Sequence, residues 1–138
     1  MADLLRELAL IIEDRVPLAL GAELFAGHIP PDQAITSDVV VLLEGGGTPA
    51  LPRLRGNVGE YTFDVLAVSR SWTDAHAMAR AVFDVFGDLP GADLGDWQAC
   101  VIEAVNEPQF TGFDEKQRTQ VYSTYVVRGY HRASWWAV

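Results

Sequence analysis

Three histidines, one cysteine and a surplus of carboxylates are the residues from which this chain could build chemistry. His28, His76 and His131 lie far apart, and no two share the short spacing that puts a pair of metal ligands on one helix or hairpin. Cys100 sits in an apolar stretch with no adjacent base, which reads as an inert buried thiol rather than a nucleophile. Ser71, Asp74 and His76 have the residue types of a nucleophilic triad, but their spacing crowds them into one helical turn. A working triad needs its base between nucleophile and acid, and Ser71 is better suited to capping a helix. Gly45, Gly46 and Gly47 follow a strand-like run, yet no P-loop lysine and no helix follow to present a dipole to phosphate. The carboxylates fall mostly on polar faces. The expectation is a chain without catalytic residues, cofactor or metal, and not an enzyme.

The elements that would position such residues can be read from periodicity. Over Ala2–Val16, Leu4, Leu8, Ile11 and Ile12 recur at helical steps, with Asp3 as a possible cap and Pro17 ending the helix. Ala22–Ala26 reads as a short strand before the turn-rich His28–Asp32. Asp38–Glu44 carries five consecutive apolar residues, the pattern of a strand covered on both faces. Gly45–Gly56 holds four glycines, two prolines, Arg53 and Arg55, and reads as a projecting loop. Val58–Arg70 alternates Tyr61, Phe63, Val65 and Ala67 with polar residues, then turns apolar on both faces at Leu66 and Val68. A second helix follows Ser71 or Thr73, its stripe formed by Ala75, Met78, Ala79, Val82, Phe83 and Phe86; His76, Arg80 and Asp84 lie opposite, and Gly87 reads as the stop. Trp97–Val105 and Thr119–Arg128 read as strands joined by a polar hairpin connection, Asn106–Arg118, with a loose tip. The expected fold is α+β: an antiparallel sheet of about four strands with two helices packed on one face.

Length and charge narrow the function. The 138 residues suit one domain, 1–138, with residues 45–56 as a projecting loop and 129–138 as a tail. No apolar run approaches the ~20 residues of a membrane span, and Asp3, Arg6 and Glu7 break the pattern of a signal peptide. A net charge of −9, with Lys116 the one lysine, argues against wrapping nucleic acid but suits a surface past which DNA must slide.

What stands out is surface. Trp135 and Trp136 close the sequence beyond the last strand and form a candidate partner contact, unless the tail folds back. Trp72, at the strand-to-helix junction, reads as a core or lid residue. Pro52, Arg53, Leu54 and Arg55 in the loop, and Phe113 near the hairpin tip, complete the candidate interface residues.

Several stretches resemble a known family. "LFAGHIPPDQAITSDVVVLLEGGGTPA", "NVGEYTFDVLAVSRSWTDAHAMARAVFDVF" and "NEPQFTGFDEKQRTQVYSTYVVR" are similar to the small tail terminator proteins of long-tailed bacteriophages, also known as minor capsid or minor tail proteins. The resemblance runs from about Leu4 to Arg128 and leaves "HRASWWAV" unmatched. It implies a ring, typically of six copies, at the head-proximal end of the tail in a virion made in the bacterial cytoplasm. Its partners would be other copies of the chain, the major tail tube protein and the head-tail connector, with DNA passing through the lumen unbound and no membrane involved. Another head-tail connector or tail completion protein, or a small ligand-binding α+β domain, are the rival readings.

Overall fold

The computed structural model describes residues 2–18, 20–27, 38–44, 58–89, 91–94 and 97–131, and the side chains of these except at 2, 3, 58, 59, 92, 97–100, 130 and 131. The elements run α1 (Ala2–Arg15), β1 (Leu24–Ala26), β2 (Val39–Glu44), β3 (Val58–Ser69), α2 (Trp72–Asp88), β4 (Ala92–Leu94), β5 (Trp97–Ala104), β6 (Gln109–Phe113) and β7 (Thr119–His131). The sheet order is β1-β2-β3-β7-β5-β4, and β6 also pairs with β7. The fold is α+β, as the sequence pattern implies, with seven strand segments in place of about four.

Both helices cover one face of the sheet. The apolar stripe of α1 (Leu4, Leu5, Leu8, Ala9, Ile12) and that of α2 (Ala75, Ala79, Val82, Val85, Phe86) share a core with Leu24, Val40, Leu42, Phe63, Val65, Ala67, Val121, Tyr125 and Val127. Three rings form its centre. Phe63 stacks on Tyr125 at 5.3 Å, and Phe86 meets Phe63 edge-on at 5.6 Å and Tyr125 at 5.1 Å. The helix α1 packs on β1 and β2 at one edge and also touches β4 at the other, so the sheet curls around the helical layer without closing. On the opposite face Phe25, Val39 and Val41 form a smaller buried cluster with Leu43 and Leu66 against it. The strand β2 is therefore buried on both faces, as its unbroken apolar run requires.

Four local expectations are corrected. The β1–β2 pair is parallel, with Leu24 opposite Val40 and Ala26 opposite Leu42, so the sheet is mixed; the stretch from Gly27 to Asp38 is long enough for the chain to return to its starting end, which a tight hairpin cannot do. Asp3 lies inside the first turn of α1 instead of before it. Gly87 does not stop α2, which runs on to Asp88; the helix ends where Leu89 turns extended (ψ 116), as a residue before proline must, with Pro90 next. The expected cap is present at Ser71, whose side chain accepts from the Asp74 N–H.

The last correction concerns Asn106–Arg118. Five of its residues form β6, which continues the course of β5 along the same side of β7: Ala104 is opposite Tyr125 and Gln109 opposite Tyr122. The four residues between bulge outward, and the gap is closed by the Val105 N–H on the Thr124 carbonyl (2.8 Å) and the Thr124 N–H on the Asn106 side chain (3.0 Å). A second register shift lies between Phe110 and Gly112, where Gly112 takes φ +126, a conformation side-chain-bearing residues rarely adopt. The tip is locked, not loose. One Asp114 carboxylate oxygen accepts from the backbone N–H groups of Lys116 (3.0 Å) and Arg118 (2.7 Å), the other from Arg118 Nε (2.7 Å), and Gln117 takes the left-handed conformation at φ 63. Burial pushes the Asp114 carboxyl up, but these hydrogen bonds and the Arg118 charge outweigh it and hold its pKa below the ordinary value.

Candidate interaction surfaces

The residues with chemical potential are placed first. Ser71 is engaged as the α2 cap, and His76 turns one ring nitrogen, Nδ1, to the Trp72 carbonyl at 3.0 Å while its ring lies 4.1 Å from the Trp72 indole. No line of hydrogen bonds joins Ser71, Asp74 and His76 in the order a triad needs. His131 ends β7 and Cys100 lies in β5 by backbone position, and His28 falls outside the described residues. Among the described residues, no three His, Cys, Asp or Glu side chains converge as metal ligands. An open cleft of about 390 Å³ lies between the end of α1 and the last turns of α2, lined by Arg15, Val16, Pro17, Ala81, Asp84, Val85 and Asp88.

The surface of greater interest is aromatic. Trp72 begins α2 and projects over β6, where its ring lies 4.8 Å from Phe110; Phe110 in turn meets Phe113 edge-on at 5.3 Å. Trp72 is 51 % exposed, Phe110 41 % and Phe113 60 %. At ~200 Å² per ring these exposures leave about 300 Å² of aromatic surface in contact with solvent, a size at which a patch usually has a use. The patch forms because Phe110 and Phe113 pair across the hairpin with Val121 and Thr119, which puts them on the helix side of the sheet at its far corner. There the first turn of α2 is the one element beside them, and among the described residues β6 pairs with β7 alone, so its outer edge is open. Charges border the patch: Asp74 is exposed in the same helical turn, and Glu107 precedes β6, 3.6 Å from Arg80, which also reaches Asp84 at 3.7 Å.

The face of the sheet turned away from the helices carries a polar network across β3, β7 and β5. Arg128 bridges Glu60 (2.8 Å) and Glu103 (2.9 Å), tying the three strands together, and the Thr124 hydroxyl donates to Asp64 at 2.8 Å. Tyr61, at the other end of β3, buries its hydroxyl without a hydrogen-bond partner among the described residues; burial, and then the nearby Glu44 charge, push its pKa to about 12.

Of the interface residues the sequence singles out, the structure places Phe113 at one end of an exposed aromatic surface, while Pro52, Arg53, Leu54, Arg55, Trp135 and Trp136 lie outside the described residues. Of the two readings of Trp72, core or lid, the structure excludes the core. Its place at the strand-to-helix junction suggests the core, but it lies one turn before the first buried residue of α2, Ala75. Phe110 was missed because every residue of β6 but Gly112 is exposed, so the strand carries no alternation. The signal that could have found it is the Phe-x-x-Phe spacing beside a glycine bulge.

No protein-family model and no curated protein matches the chain. Among solved structures it is similar to a chain of the virion of the native gene transfer agent (GTA) particle, at a TM-score of 0.57 and 17 % identity over 89 % of this chain and 84 % of that one. At this identity the likeness is one of fold.

Proposed function

We propose that this chain is a non-enzymatic structural subunit of a phage-type virion: a tail terminator that forms a ring of six copies on the head-proximal end of the tail tube and joins it to the head connector. The observation that carries the reading is the likeness of fold to a virion chain over nearly the full length of both. It agrees with the resemblance of the sequence, from Leu4 to Arg128, to tail terminators. The exposed aromatic patch and the open edge of β6 supply surface for neighbours. The net charge of −9, repeated around a ring, would repel DNA in the lumen and let it pass without sticking.

The test is electron microscopy of the purified chain with tail tubes. Rings at one tube end, and tubes that stop lengthening when the chain is added, are the expected outcome. Binding along the sides of tubes, or binding to head portals but never to tubes, would replace the terminator reading with that of another virion joint.

A further inference from the structure

We propose that the patch of Trp72, His76, Phe110 and Phe113 receives the Pro52–Arg55 segment of a second copy of this chain. The inference deepens the ring reading, and rests on it for closure of the ring, though not for the contact itself.

Chain length decides which copy supplies the segment. Leu54 is four residues from Val58, the first residue of β3, so it can lie no more than ~14 Å from it. The patch lies at the opposite end of that strand, where Ser69 is opposite Thr119 and Thr119 opposite Phe113. The twelve residues of β3 span roughly 36–40 Å. Phe110, the nearest ring, is level with Ala67, about 30 Å along β3 from Val58, so Leu54 of the same copy falls ~15 Å short of it and further short of Trp72 and Phe113. Seating the segment across all three rings therefore takes a second molecule.

Chemistry matches the two surfaces. Arg53 and Arg55 flank Leu54 and follow Pro52, two guanidinium groups around an apolar centre. A guanidinium stacks on an aromatic face, and this molecule already places Arg80 over the Phe83 ring at 4.9 Å. Trp72, Phe110 and Phe113 offer three such rings, with the exposed Asp74 on the border to pair with a charge, and Glu107, already 3.6 Å from Arg80, beyond it. The open edge of β6 can also hydrogen-bond an extended peptide laid beside it. Because donor and acceptor surfaces differ, and the donor is tethered to the Val58 end of β3 while the acceptor lies at its Ser69 end, the contact is head-to-tail, the kind that closes into a ring or runs on as a filament.

Complementation tests it. The full chain carrying R53E/R55E keeps the patch but loses the segment's charge; W72A/F113A keeps the segment but loses two exposed rings, and circular dichroism checks that both fold. By mass photometry, each variant alone is expected to remain monomeric and their equimolar mixture to give heterodimers. In parallel, a fluorescent peptide of residues 50–57 should bind the R53E/R55E chain at least about tenfold more tightly than a chain carrying all four substitutions, read by anisotropy. A mixture that stays monomeric together with a peptide that shows no such preference overturns the proposal, as does oligomerisation of either variant to the wild-type extent. If tubes are still capped by R53E/R55E, this contact is wrong and the ring reading stands. If the peptide binds the patch but no tube is ever capped, the contact stands and the ring reading fails.

Discussion

Asp114 holds the β6–β7 hairpin closed, and replacing it with alanine tests how much of the interaction corner depends on one carboxylate. The substitution removes three hydrogen bonds, to the Lys116 and Arg118 backbone N–H groups and to Arg118 Nε. It also leaves the Arg118 side chain, only about 10 % exposed, without its counter-charge. The charge-assisted bond accounts for roughly 2 kcal/mol, while the two backbone donors recover water and cost less, giving a loss of about 3 kcal/mol. For a chain of 138 residues that lowers Tm by about 10 °C. Asp114→Asn keeps an acceptor for the backbone but not the charge, and is expected to lose about half as much. The folded-state pKa lies below the ordinary 3.8, so the carboxylate's contribution is complete above that value and disappears as pH falls through the folded pKa. Urea denaturation of wild type and Asp114→Ala at neutral and strongly acid pH provides the measurement. The two curves should separate at neutral pH and converge in acid. A neutral-pH difference under about 0.5 kcal/mol, the size of an ordinary surface substitution, would refute the idea that this carboxylate locks the tip.

Two further outcomes follow from the core and from β3. Phe63→Ala empties the middle of the Phe63–Phe86–Tyr125 cluster and should cost about 3–5 kcal/mol in denaturant unfolding, against under ~1.5 kcal/mol for Phe63→Leu. Tyr61 should be among the last tyrosines to ionise, near pH 12; its stabilising effect is complete below pH 10 and is lost as pH rises through about 12, so Tyr61→Phe should remove the latest part of the phenolate absorbance titration and delay alkaline unfolding.

Much of the fold was legible because one face of each main element is buried. The helices were found from the stripes of Leu4, Leu8 and Ile12 and of Ala75, Ala79, Val82 and Phe86, and β3 from the alternation that puts Phe63, Val65 and Ala67 inside. The short strands β4 and β6 were not legible. Ala92–Leu94 has three residues beside turn-forming ones, and Gln109–Phe113 owes its extended form to hydrogen bonds with β7 instead of to burial. Nor could the sequence separate core from lid at Trp72, because a place at a strand-to-helix junction does not say whether the sheet extends beneath that turn. Of the candidate surface, Phe113 alone was anticipated among residues the structure describes; its partners Trp72 and Phe110 meet it only through tertiary pairing.

The position of β7 sets the order in which this molecule can be made. The last of the strands in sequence lies in the middle of the sheet, with β3 along one side and β5 and β6 in series along the other. Until β7 has been made, β3 and β5 have no common neighbour, and the aromatic corner at Phe110 and Phe113 has no hairpin to carry it before Thr119–Tyr122 has followed. A nascent chain therefore joins the two halves of its sheet only when its longest strand has been made, so the sheet's pairing is mostly long-range and late.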